Sequence, residues 1–335
     1  MNETERSFKK LMMKIGTAML IFLVAFTVIG EIIVLSQSLL YSALDYRSAT
    51  IAYNLIYALM YALPFAGAAA FLFVSTKRDT VPASKKLALP TLTPVYIIVA
   101  VAVTTAMSYI NQYFVSVFNY SEFMSDAFGM TYDIENYEIA LSLLTTAVIP
   151  GIFEELLFRG AVLTRLRPYG KGVSVVISAV LFGLMHQNAG QFLYATAAGL
   201  VLGWITVQTG SVVCAMVCHF FNNAVAVVQQ VILAKLPEHS AIALLCALEF
   251  VLLSLGVIGA LILARAYYKK RRTNDLSLGM FGRELEPERE MEHTVSPSRA
   301  ARLFWTPTVI VFVCLSAAMA AMYLFLSLLY TGAII

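Results

Sequence analysis

The sequence predicts an all-α, polytopic transmembrane helix bundle of about nine spans, eight being possible, with a cytoplasmic N-terminus. Three observations predict it. Of 335 residues, 60% are hydrophobic and only 13% charged, with a mean hydropathy of +0.79; soluble domains run at about 45–50% apolar and about 25% charged. The chain divides into nine apolar runs that meet or approach the roughly 20 residues needed to cross a bilayer. Its basic residues gather at alternate ends of those runs.

The first run, 15–40, follows a charged start, MNETERSFKKLMMK. It is too long for a signal-peptide core and has no small-residue cleavage site, so it is expected to stay as a span. Runs 51–75, 94–118 and 138–165 follow. The fifth, 173–187, is short, and 190–208, 211–234, 241–266 and 306–330 complete the set. Helix is expected in each, because an open strand in lipid leaves its backbone groups unsatisfied.

Lys9, Lys10 and Lys14 precede the first run, and Lys77, Arg78, Lys85 and Lys86 follow the second. Arg165, Arg167 and Lys171 follow the fourth; Lys269, Lys270, Arg271 and Arg272 follow the eighth. Nine alternating spans put all four clusters on one side, which the positive-inside rule makes the cytoplasm. The opposite loops carry Asp45 and Arg47, then Glu122, Asp126, Asp133 and Glu135. The expected organisation is two N-terminal spans and a loop (1–93), a catalytic core (94–266, motifs within 138–226), a polar cytoplasmic linker (267–305) and a last span (306–335). A cell membrane, taken as a prokaryotic plasma membrane, is the expected location.

An ionisable side chain within a span costs roughly 2.5–3.5 kcal/mol on insertion scales and therefore marks function. The fourth run carries Glu154, Glu155 and Arg159 within six residues. Glu155 and Arg159 are spaced i, i+4 and can pair on one helix face. Glu154, turned about 100° away, is left free for chemistry. Pro150 removes a backbone donor just upstream, and a local break there is expected to admit water. The fifth run ends in Phe182-Gly-Leu-Met-His186, and the seventh holds His219-Phe-Phe-Asn-Asn223. At 1.5 Å per residue, all three groups lie roughly 12–20 Å from the cytoplasmic ends, in one layer.

A carboxylate in a partly dry site can act as a general base on water. Imidazoles can orient that water, protonate a leaving amine or bind a metal, and an Asn amide or His can donate to an oxyanion. Glu154, His186 and His219 could also hold zinc with water as fourth ligand, although the HExxH spacing is absent. Cys214, Cys218, Cys246 and Cys314 read as packing residues without CxxC spacing. His239 and His293 read as solvated, and Glu31 and Glu249 have no assignable partner in the sequence. Gly199 and Gly203 form a GxxxG expected to pack helices closely. No basic, aromatic-interleaved surface suggests nucleic acid.

Glu154-Glu155-x-x-x-Arg159, Phe182-x-x-x-His186 and His219-x-x-x-Asn223 together resemble the three-motif signature of the CAAX protease and bacteriocin-processing (CPBP, or Abi) family, which includes the Ras-converting CAAX endopeptidases. The resemblance covers roughly 138–226. It implies an intramembrane endopeptidase in which Glu154 activates water, His186 helps hold it, His219 and Asn223 stabilise the oxyanion, and Glu155, Arg159 and Phe182 support the site. A metal-free reaction is expected, with zinc as the alternative; Asn223 is a poor zinc ligand and a good oxyanion donor. The implied partners are the bilayer and a peptide or membrane-tethered protein reaching the site from the cytoplasm. The rival readings are a non-catalytic membrane scaffold or immunity protein, which would not need Glu154, and a proton-coupled transporter, which would need internal symmetry. Substrate and oligomeric state are not legible.

Overall fold

The computed structural model describes residues 1–76, 89–117, 135–273 and 294–330. Lys77, Arg78, Lys85, Lys86, Glu122, Asp126, Asp133, His293 and most of the polar linker lie outside the described residues. Among the described residues, ten helices follow one another: α1 (Glu3–Ala43), α2 (Tyr46–Ser75), α3 (Thr93–Val117), α4 (Asn136–Tyr169), α5 (Lys171–Met185), α6 (Ala189–Thr209), α7 (Val212–Lys235), α8 (Glu238–Thr273), α9 (Pro297–Phe304) and α10 (Pro307–Tyr330). There is no strand among the described residues. Among the described residues, eight helices are long and apolar enough to cross a membrane, and the chain is a multi-pass membrane protein.

The ends of these helices are written locally. Asn2 caps α1 in a reciprocal box with Glu5, Asp45 caps α2, and Ser211 caps α7; each side chain satisfies an orphan backbone donor. Gly210 closes α6 in the left-handed region, at φ 69°, which glycine adopts without steric cost.

The fifth run forms only a 15-residue helix, about 22 Å long, and so stops short of crossing. The chain reverses through His186, Gln187 and Asn188, with Gln187 at φ 53° and Asn188 capping α6. Helices α5 and α6 therefore form a hairpin, and His186 sits at its tip.

Small residues hold the hairpin shut. A Cβ on Gly199 would lie 2.9 Å from the Ala179 Cα, so the GxxxG packs helices inside the bundle. Gly199→Ala is expected to lower stability by about 1–3 kcal/mol through overpacking. Gly67→Ala, where nothing lies within 4 Å, should be neutral or slightly stabilising because alanine loses less chain entropy. Thermal unfolding of both variants in one detergent checks the opposed signs.

Between the site and the basic helix ends, the packing is closed. Phe8, Met12, Ile15 and Met19 of α1, Phe65 and Leu72 of α2, and Leu157, Phe158, Ala161 and Leu166 of α4 are all fully buried in one cluster. A second cluster joins α3, α6, α7 and α8 through Tyr96, Ile205, Cys214, Cys218 and Leu263. The four cysteines are free.

Candidate active site

Helix α4 carries the first motif, and its backbone is unusual there. It winds as π-helix over Leu143–Val148 and again over Leu156–Leu163, with an α-helical piece, Ile149–Glu155, between them. Pro150 therefore does not break the helix as its position suggests. It has no N–H to give to the carbonyl of Thr146, four residues earlier, and Asn223 Nδ2 donates to that carbonyl instead at 2.9 Å. In the second π segment, Ser178 donates to the Phe158 carbonyl at 3.0 Å. Such π-bulges occur frequently at functional sites.

Glu155 and Arg159 form the expected i, i+4 pair at 2.6 Å, both side chains fully buried. Arg159 also donates to the Gly199 carbonyl at 3.1 Å and lies 4.6 Å from the centre of the Phe182 ring. The same Glu155 oxygen receives Nδ1 of His219 at 2.9 Å. Glu155 thus supports the site by orienting His219 as well as by neutralising Arg159, a coupling of the first and third motifs that spacing alone does not reveal. The second imidazole nitrogen, Nε2, points at Glu154 Oε2 from 3.9 Å.

Glu154 is 3% exposed and has one strong partner: the hydroxyl of Tyr61, on α2, donates to its Oε1 at 2.6 Å. Oε2 is left toward His219. His186 shares Nδ1 with the Phe182 carbonyl at 2.8 Å, which turns Nε2 outward, and it lies within electrostatic reach of both Glu154 and His219. The Phe182 ring is a spacer between the imidazoles, its centre 5.1 Å from His186 and 5.9 Å from His219.

Asn223 sits one turn beyond His219. Its Oδ1 accepts from Asn222 Nδ2 at 3.1 Å, and Asn222 is held by Tyr194 at 3.2 Å and by Thr104. With one amide hydrogen on Thr146 and the oxygen engaged, the second amide hydrogen of Asn223 is unassigned. The structure thus brings Glu154, Glu155, Arg159, Phe182, His186 and His219 into one group, with Asn223 at its edge.

Sequence reasoning missed Tyr61 and Asn222. The Tyr53, Tyr57, Tyr61 repeat at four-residue spacing was visible, but nothing local ties α2 to α4. Glu249 proves to have partners, the hydroxyl of Tyr109 and Gln229 Nε2 at 3.3 Å.

Among the described residues, no group of three or more His, Cys, Asp and Glu side chains is gathered closely enough to hold a metal ion. His219 uses Nδ1 on Glu155 and Glu154 uses Oε1 on Tyr61, which leaves His219 Nε2 and Glu154 Oε2 facing each other at 3.9 Å.

No curated protein and no solved structure matches the chain. Residues 136–225 match the family model described as Rce1-like, type II CAAX prenyl endopeptidase. That segment holds all three motifs and the paired glutamates, and over it the chain is similar to the CAAX-protease family, a family of peptidases.

Proposed function

We propose that the protein hydrolyses a peptide bond within the membrane by water that Glu154 activates, with no metal in the reaction. The observation that supports this most is the division of labour between adjacent carboxylates. Glu155 is committed to Arg159 and His219, whereas Glu154 keeps Oε2 uncommitted beside two imidazoles.

In the reaction, water donates one hydrogen bond to Glu154 Oε2 and one to His186 Nε2, which aims its lone pair at the scissile carbonyl. As the C–O bond forms, the proton passes to Glu154. The carbonyl oxygen becomes an oxyanion that accepts from the free Asn223 Nδ2–H, with the His219 imidazole beside it. On collapse, the C–N bond breaks and Glu154 returns its proton to the leaving amine, yielding an acid and an amine. Tyr61 fixes the Glu154 rotamer by holding Oε1. The substrate is a peptide or membrane-tethered protein, and the basic helix ends face the cytoplasm of a cell, with the bundle in the plasma membrane.

Removing one preorganised oxyanion donor costs roughly 10²–10³ in kcat. Purified protein in nanodiscs is therefore expected to cleave internally quenched peptides, with Asn223→Ala losing about that factor in kcat and little in KM. Hydrolysis that withstands thorough chelation is expected as well. A wild-type protein without Glu154-dependent cleavage, or one silenced by chelation and restored by zinc, would overturn this reading.

A further inference from the structure

Helix α2 lies outside the matched segment, and yet it carries the hydroxyl closest to Glu154. Tyr61 is the inner member of a row, Tyr53, Tyr57 and Tyr61, each one turn from the next. Successive ring centres lie 6.3 and 5.7 Å apart, and Phe65 and Phe26 close the inner end at 5.1 and 5.8 Å from Tyr61. All three tyrosines are half-buried. The opposite face of α2 presents Leu55, Leu59 and Leu63, which are 51%, 65% and 49% exposed and face lipid. The tyrosines therefore line the inward face of the helix and yet stay accessible.

The row runs from Glu154 toward the beginning of α2, away from the basic helix ends. On the basic side, Leu157, Phe158, Arg159 and Phe182 close the floor of the site at 2% exposure or less. On the other side, Phe153, Asn223 and the tyrosines are partly accessible, and Thr146 and Ile152 are exposed. Access along this row would run from the end opposite the basic helix ends, since the residues on the basic side are packed shut.

We propose that Tyr53, Tyr57 and Tyr61 form a substrate groove that binds an extended peptide segment, with apolar side chains at alternate positions, leading up to the scissile bond. The proposal rests on the peptidase reading of Glu154. Four helical residues rise about 6 Å, and two residues of an extended chain advance about 6.6–6.8 Å. Alternate side chains of a strand-like peptide thus fall between successive rings, while the phenol hydroxyls of Tyr53 and Tyr57 donate to its carbonyls. A helical substrate would also advance about 6 Å in four residues, but its carbonyls are bonded within the helix and offer the phenol hydroxyls no acceptor. Continuity supports the placement, since the innermost phenol touches the proposed base.

The test uses the full chain in nanodiscs and a library of internally quenched peptides varied among Phe, Leu, Ala and Asp at each position. Wild type is expected to favour Phe or Leu at alternate positions on one side of the cut. Tyr57→Ala should raise KM roughly tenfold, the size expected for truncating one well-packed aromatic contact, and flatten that preference with kcat little changed. Tyr57→Phe should keep the preference, and Leu59→Ala should change neither. A second readout needs no catalysis. In a Cys246→Ser, Cys314→Ser background, Tyr57→Cys should react with a hydrophilic maleimide and be shielded by excess library peptide, while Leu59→Cys should not react. Labelling and shielding without any hydrolysis would keep the groove and remove the peptidase. Glu154-dependent hydrolysis in which the position 57 variants behave like their position 59 counterparts would overturn the groove alone.

Discussion

Glu154→Gln is expected to lower kcat for peptide hydrolysis by roughly 10²–10⁴-fold, the range ascribed to a positioned general base, without unfolding the protein. The change is nearly isosteric. Gln keeps an oxygen to receive the Tyr61 hydroxyl, now 2.6 Å from Glu154 Oε1, so the tie between α2 and α4 survives. What is lost is the lone pair that removes a proton from water, because an amide is not a base at neutral pH. Substrate contacts along the rest of the site are untouched, so KM should move little. Steady-state kinetics on a cleaved quenched peptide, with thermal unfolding of the same preparation, separates a chemical loss from a structural one. Cleavage by the variant within a few-fold of wild type would remove Glu154 as the base.

Arg159→Met carries the largest expected loss of stability, about 3–5 kcal/mol, the cost of removing one partner from a buried ion pair. Arg159 and Glu155 are both fully buried, and the guanidinium also binds the Gly199 carbonyl and covers Phe182. Methionine fills much of the volume but leaves the Glu155 carboxylate facing only His219. The cost is therefore that of a buried charge without its counter-charge. The double variant Arg159→Met, Glu155→Gln should regain much of the stability, since it removes both charges, while staying poorly active because His219 loses its anchor. Chemical or thermal unfolding in a fixed detergent compares wild type, Arg159→Met, Glu155→Gln and the double variant as a cycle. Full stability in the single variant would mean that the pair contributes nothing to the fold.

The helical architecture was legible because lipid leaves a chain so few options: runs of apolar residues, helical by necessity, punctuated by charged ends. The shortness of α5 was half-legible. Its apolar run was brief, but the reversal depends on Gln187 adopting positive φ, which no composition signals. Grouping Glu154, His186 and His219 followed from equal depth on three runs, whereas their mutual distances depended on how α4, α5 and α7 rotate. The shared use of one Glu155 oxygen by Arg159 and His219 could not be read from either motif alone. Pro150 was legible as a disturbance but misread in kind, because π winding leaves no simple residue pattern and the freed carbonyl found its donor on another helix. Tyr61 was missed since its partner lies 93 residues away and a tyrosine in a span usually needs no explanation.

The hydrogen bond from Asn223 to the Thr146 carbonyl has a mechanical consequence. It fastens α4 to α7 at one register, and Gly151 reinforces this by lying so close that a Cβ there would be 3.3 Å from the Phe220 amide nitrogen. Sliding or swivelling one of these two against the other would leave the Thr146 carbonyl without its donor, so the two are held together. Any breathing that lets a chain in or lets products out then falls to α2. Its polar hold near the glutamates is the Tyr61 phenol on Glu154, set beside the buried apolar contacts of Phe65 and Leu72.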